Sequence, residues 1–182
     1  MTRRAALLPV GCVAAILAAS AWAATAWQTV VAFSAIEFTG TLDGGDFKGR
    51  FGKFDAAIVF DQSDLMGSRF RVLVDTGSAD TSDADRDAAL KGGDFFAADR
   101  WPTATYEAGE FVATGPGQFE ARGRLTMRGV TRDLPVTFMF KGPADGKSAA
   151  LTGEATIHRL DFGIGQGEWR DTKWLGNDVR VK

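Results

Sequence analysis

Phe119-Glu120-Ala121-Arg122-Gly123-Arg124-Leu125 alternates between side chains that avoid water and side chains that seek it. In an extended chain, successive side chains point to opposite faces. Phe119, Ala121, Gly123 and Leu125 therefore share one face, and Glu120, Arg122 and Arg124 the other. The same period of two recurs in Phe70, Val72 and Val74, in Leu134, Val136, Phe138 and Phe140, and in Leu151, Gly153, Ala155 and Ile157. Each run predicts a strand with one buried and one wet face. Weaker runs over Ser34–Leu42, Arg50–Phe60, Thr103–Val112 and Asn177–Val181 bring the expected total to about eight strands. Turn chemistry separates them at Asp43-Gly44-Gly45-Asp46, Gly115-Pro116-Gly117 and Gly142-Pro143-Ala144-Asp145-Gly146.

One segment departs from this period. Thr81 to Leu90 favours a short helix, with Thr81 or Ser82 as N-cap and Asp83 and Asp85 in the first turn, where the helix dipole favours acids. Leu90 and the Phe95-Phe96 pair would then fold onto an open end or edge of the sheet. An all-β chain of eight antiparallel strands with one helical insertion can form a barrel or a sandwich. Closure removes exposed edges, and the barrel is preferred on that ground.

The 182-residue chain suits one domain behind a leader. Arg3 and Arg4 precede an apolar, alanine-rich run over 5–21, and Ala21-Trp22-Ala23 offers the small-x-small pattern of a cleavage site. The expectation is a signal peptide over 1–23 and a domain over 24–182, exported to the periplasm. Ala19-Ser20-Ala21 is a second cleavage site, and retention as an anchor is the bland alternative. The paired arginines leave ordinary and twin-arginine export both open, and Gly11-Cys12 leaves lipidation open although proline stands at position 9. Cys12 is the only cysteine, so a processed chain would have no disulfide, thiol nucleophile or thiolate metal site. About 160 residues suffice without one, since a domain of that size buries roughly two thirds of its unfolded surface. Losing Arg3 and Arg4 takes the basic count from 21 to 19 against 23 acids, with both signs interspersed. Nothing in that pattern points to nucleic acid.

Little in the chain names a reaction. His158 is the only histidine and falls on the polar face of its strand, which leaves no second imidazole for a metal site. A serine triad would lack its G-x-S-x-G turn. Asp83-x-Asp85-x-Asp87 has the spacing of calcium ligands, but Ala88 stands where the loop needs glycine, and helix capping accounts for the acids. Gly163-x-Gly165-x-Gly167 lacks the strand-to-helix context of a phosphate loop and reads as a bend. No catalytic or metal-binding residue is assigned. What remains is an apolar interior with 14 phenylalanines in the chain. An eight-stranded barrel is just wide enough to be filled by side chains or to hold one small ligand. A lumen along a ten-residue strand, roughly 33 Å, could take an extended lipid chain.

The order of motifs resembles the YceI-like family of bacterial exported proteins. Its opening strand is matched by Trp27 with Ser34-Ala35-Ile36-Glu37-Phe38, and the next hairpin by Gly49–Phe54 and Ile58–Asp61. The central motif is matched by Asp87, Leu90, Asp94-Phe95-Phe96 and Trp101-Pro102. Later ones are matched by Leu125-Thr126, Gly129-Val130-Thr131 and Asp161-Phe162-Gly163. Two positions depart from the pattern: Phe33 where histidine is common, and Gly92-Gly93 where serine is usual.

The resemblance implies an extended lipocalin-like barrel that binds a long-chain amphiphile, commonly a polyisoprenoid or isoprenoid quinone. No other cofactor is implied. Strand parity would then place Phe38, Phe70, Val72, Phe119, Leu125, Phe138 and Ile157 in the lumen, with Phe95, Phe96 and Tyr106 near the helical insertion. Arg128 and Trp169 are weaker candidates for the head group. The leading expectation is a non-catalytic periplasmic carrier in transient contact with a membrane or a membrane cytochrome. An envelope-stress interaction module with a filled core is the alternative. A barrel hydrolase or isomerase would need a polar pair inside the lumen, and the expected inward faces are nearly all apolar.

Overall fold

A computed structural model describes residues 25–142 and 148–182. The expected leader, Cys12 and most of the turn at 142–146 therefore lie outside the described residues. Eleven strands are present among the described residues: β1 (Ala26–Gln28), β2 (Ile36–Leu42), β3 (Gly45–Phe51), β4 (Phe54–Val59), β5 (Arg69–Asp75), β6 (Ala79–Asp80), β7 (Thr103–Gly115), β8 (Gln118–Met127), β9 (Val130–Lys141), β10 (Ala150–His158) and β11 (Asp178–Val181). One α-helix, α1 (Ala84–Lys91), is inserted between β6 and β7. All ladders are antiparallel, in the order β1-β4-β5-β7-β8-β9-β10-β11-β2-β3-β6.

The architecture is the expected antiparallel lipocalin-like barrel with a short helical insertion, and the strand count differs for a local reason. The run expected over 50–60 starts earlier, at Gly45, and is bent at Gly52-Lys53 into β3 and β4. Its partner is bent at Thr76–Ser78, a single 3-10 turn, into β5 and β6. Two hydrogen bonds carry the ladder round this corner, Gly52 N–H to Ser78 O at 3.0 Å and Asp75 N–H to Lys53 O at 3.0 Å. The corner makes four strands from two, and β1 adds one more along β4. The Trp27 indole anchors β1 by donating to Phe60 O at 2.9 Å.

Hairpin chemistry explains the long β7-β8-β9 meander. Gly117 takes φ +68° in the two-residue turn after Gly115, and Arg128 and Gly129, both at positive φ, join β8 to β9. The second turn lengthens β9 back to Val130, four residues before the alternation becomes legible. Along β8 the alternation holds to the last residue, with Phe119, Ala121, Gly123, Leu125 and Met127 buried.

The helix begins later than Thr81. Its N-cap is Asp83, which accepts from Arg86 N–H at 3.0 Å. Thr81 instead donates its hydroxyl and its backbone N–H to Asp87, at 2.6 and 2.8 Å. Ser82 is not the cap because it is held at φ +58°, outside the extended conformation an N-cap adopts and Asp83 has.

The core has two parts. Near the β7–β8 turn, Phe60, Phe70, Phe111, Phe119, Phe138 and Phe140 pack together. Phe60 is fully buried, its ring centroid 4.9–5.9 Å from the other five. Toward the opposite end, Phe38, Leu90, Phe95, Phe96, Phe162, Ile164 and Leu175 pack beneath α1 and the 159–177 segment.

Candidate functional site

Between the two core clusters lies an open cavity of about 510 Å³. Its walls come from inward positions of eight strands: Ile36 on β2, Phe51 on β3, Val72 and Val74 on β5, Ala104 and Tyr106 on β7, Leu125 and Met127 on β8, Leu134 and Val136 on β9, Ala155 and Ile157 on β10, and Val181 on β11. A second pocket of about 90 Å³, lined by Phe38, Phe47, Leu90, Phe95, Ile164 and Val179 among others, adjoins it toward the helical end. Phe51, Phe96, Met127, Ile157 and Val181 border both spaces. The Phe51 and Phe96 rings, 5.8 Å apart, stand at this shared boundary.

The mouth arises from a split in strand pairing. β10 pairs with β9 through Ala150–Glu154 and with β11 only through Ala155–His158. The sheet therefore splays on the β11 side of Ala150–Glu154, where Phe33, Ser34, Leu151, Thr152, Glu154 and Lys182 line the opening. Leu151 shares the inward parity of Gly153 and Ala155 yet is 41% exposed, because it faces this gap rather than a packed core. Phe33 is 91% exposed on the 3-10 turn Val31–Phe33 at the same rim.

Polar groups inside are few and already engaged. The Tyr106 hydroxyl donates to Ala121 O at 3.2 Å. Burial, reinforced by the Glu120 charge, pushes its ionisation far up, so the phenol stays neutral. Thr76 donates to Trp101 O at 2.9 Å. His158 sits outside the lumen, its Nδ1 2.8 Å from Asp178 Oδ1. Asp83 and Asp87 serve the helix start. No cluster of three or more metal-ligating side chains occurs among the described residues.

The residues named from the sequence divide between the two parts of the core. Val72, Phe96, Tyr106, Leu125 and Ile157 border the main cavity, and Phe38, Phe95, Phe96 and Ile157 border the smaller pocket. Phe70, Phe119 and Phe138 face inward but belong to the phenylalanine cluster, which fills its end of the barrel. Alternation reports which face a residue occupies, not whether that level of the barrel is hollow. Arg128 is engaged elsewhere, donating to Gly93 O at 3.0 Å and to Phe95 O, with its guanidinium 5.2 Å from the Trp101 ring. Trp169 packs at 5.7 Å against Phe95.

Sequence reading missed Arg159, which is 3% exposed and lines the smaller pocket. Its guanidinium donates to Ile164 O (2.8 Å), Gly165 O (3.4 Å), Trp169 O (2.7 Å), Leu175 O (2.6 Å) and Gly176 O (2.8 Å). Desolvation lowers its pKa. The glycine-rich stretch from Gly163 is the only sequence sign, since close approach of a guanidinium to backbone needs positions without Cβ. Gly165, at φ +79°, would drive a Cβ into the Arg159 side chain.

A barrel with this split mouth and helical cap is matched by a family model described as the YceI-like domain, over residues 22–182. The chain belongs to the YceI-like family. A UPF0312 protein of Vibrio cholerae is 37% identical over 121 residues, covering 64% of this chain and 64% of that relative. The YceI-like barrel superposes on BcnA of Burkholderia cenocepacia with a TM-score of 0.79 at 24% identity, over 83% of this chain and 94% of that one. A polyisoprenoid binding domain from Saccharophagus degradans, implicated in plant cell wall breakdown, gives a TM-score of 0.60 at 14% identity, over 81% and 88% of the two chains. These two likenesses, at 24% and 14% identity, concern the fold.

Proposed function

We propose that this protein binds, without chemical turnover, a long-chain amphiphile of the polyisoprenoid or isoprenoid-quinone class, and does so in the periplasm after loss of residues 1–23. The observation that carries the proposal is the cavity itself. It is open at one side, walled mainly by aliphatic and aromatic side chains, and bordered by charged groups at the mouth, at Glu37, Glu154 and Lys182. Such a space suits a tail inside and a polar head at the rim. Each buried methylene would contribute about 0.8 kcal/mol. Val72, Phe96, Tyr106, Leu125 and Ile157 would contact the tail, with Phe38 and Phe95 beyond the Phe51–Phe96 boundary. The likeness to a polyisoprenoid binding domain supports the ligand class.

A carrier of this kind would meet a membrane when it loads or unloads, and a quinone ligand would connect it to a membrane cytochrome. The test is mass spectrometry of an organic extract of the protein, purified without detergent from a bacterial periplasm. A stoichiometric isoprenoid or quinone is the expected result. An empty extract, with no uptake of added isoprenoids, would overturn the proposal in favour of an interaction module.

A further inference from the structure

We infer that this protein docks on a lipid bilayer through the lip of its mouth, with Phe33 as the side chain that enters the membrane. The inference rests on the binding role proposed above and names the surface through which that site meets its lipid source. From Val30 to Ala35 the chain reads Val-Val-Ala-Phe-Ser-Ala, without a charge. Val30, Ala32, Phe33 and Ala35 are all exposed, Phe33 at 91% and Val30 at 58%. Leu151, 41% exposed, stands on the β10 side of the same opening. Phe33, Ser34, Ala35 and Leu151 line that opening, so the exposed apolar surface runs on into the apolar cavity. A contiguous apolar rim of this kind marks a surface that meets a partner, whereas a single exposed side chain does not.

The turn that carries Phe33 is internally hydrogen-bonded. Val30 O accepts from Phe33 N–H at 2.9 Å and from the Ser34 hydroxyl at 3.0 Å. The Thr29 hydroxyl donates to Ala56 O at 2.9 Å and ties the turn to β4. Paired groups leave water at far lower cost than unpaired ones, so this turn can sink into the head-group region. A bilayer suits the lip better than a protein partner does. Three large side chains, even fully covered, supply far less than the roughly 800 Å² per partner that a stable protein interface buries. A bilayer requires no complementary shape, and apolar side chains reaching the boundary between head groups and acyl chains suffice for reversible association. The charges at the mouth, Glu37 and Glu154 against Lys182, present no excess of cations to anionic lipid. Docking is therefore driven by apolar insertion and is indifferent to lipid charge.

The test is cosedimentation of the purified protein with vesicles that contain no isoprenoid, made of phosphatidylcholine alone or with about one quarter phosphatidylglycerol. Phe33→Ser is expected to lower the vesicle partition constant by about tenfold, on the scale of burying one phenylalanine side chain. Val30→Ser should lower it by about threefold, since less of that side chain is free to insert. Met66→Ser serves as the control: Met66 is 89% exposed on the loop between β4 and β5 but does not border the opening. Its partition should stay within about twofold of the natural protein, and the two vesicle compositions should bind alike. No association by the natural protein, an unchanged Phe33→Ser variant, or an equal loss in Met66→Ser would each overturn the inference. A tenfold gain on adding phosphatidylglycerol would overturn it in favour of a charged surface elsewhere. Light scattering without vesicles covers the remaining occupant: a dimer that Phe33→Ser makes monomeric would assign the lip to a second copy of the chain. Because these vesicles hold no isoprenoid, failure to dock leaves the binding role standing, and an empty organic extract would remove that role whatever the vesicles show.

Discussion

Arg159 sets a charged group among backbone carbonyls of the loop following β10. Its five acceptors belong to residues between Ile164 and Gly176, so one side chain pins both halves of that loop against the smaller pocket. Removing it strands buried carbonyls, each costing about 1–3 kcal/mol, partly relieved by relaxation. Arg159→Met is therefore expected to lower stability by about 3 kcal/mol in urea unfolding at neutral pH. Arg159→Lys should recover less than half of that, because three ammonium donors cannot reproduce the planar fork. Equal stability of the methionine variant would mean that the loop finds other partners. Gly123 shows the same dependence on close contact: a Cβ there would lie 2.7 Å from Glu107 O and clash with the Tyr106 ring. Neither role was readable beforehand. A strand-end arginine looks like a solvated one, and a mid-strand glycine looks like a weak point, until the neighbours across the barrel are known.

At the scale of elements, the bent β3–β4 and β5–β6 runs close the barrel, and a short stretch of polar chemistry holds their far end. Arg50 meets Asp80 at 3.1 Å across the β3·β6 ladder, and the Asp80 carboxylate also accepts from Ser82 N–H at 3.0 Å. That backbone bond, followed by Arg50, holds the Asp80 carboxyl below its ordinary value of 3.8. A depressed carboxyl favours the fold when ionised. Its contribution is present above the unfolded value and disappears as pH falls through the folded one. Asp80→Asn should therefore leave the pH dependence of the urea midpoint unchanged between pH 7 and 5, and flatten it below about pH 4. The adjoining helix depends on its cap, and Asp83→Ala is expected to cost about 1 kcal/mol. The helix was legible because acids crowd its first turn. Its start was misplaced by two or one residues because Ser82, a good cap by type, is held at positive φ by the β6 turn.

For the molecule as a whole, the barrel is packed at one end and hollow in the middle, and its stability should follow that division. Phe60→Ala removes a ring surrounded by five others and should cost about 4 kcal/mol. Leu134→Ala, at a wall already facing open space, should cost about 1 kcal/mol or less, since little new cavity is created. Urea midpoints of the two variants provide the comparison, and similar losses would show that the cavity is collapsed in solution. A ligand would narrow the contrast by stabilising the folded state.

Alternation along Phe119–Leu125, Phe138–Phe140 and Ala155–Ile157 determined by itself that these chains would form strands and which face of each would be buried, because that follows from the period of the extended backbone alone. The motif order determined the family for the same local reason, since turns, caps and aromatic pairs are written in neighbouring residues. Only the tertiary structure decided where the barrel is filled and where it is empty. Phe70 and Val72 are both inward residues of one strand, yet one is locked among rings and the other borders the cavity. The split of β10 between two partners, the bend at Gly52-Lys53 and the burial of Arg159 likewise depend on which distant strand lies opposite. Such volumes and pairings are set by contacts between residues far apart in sequence, and no local pattern encodes them.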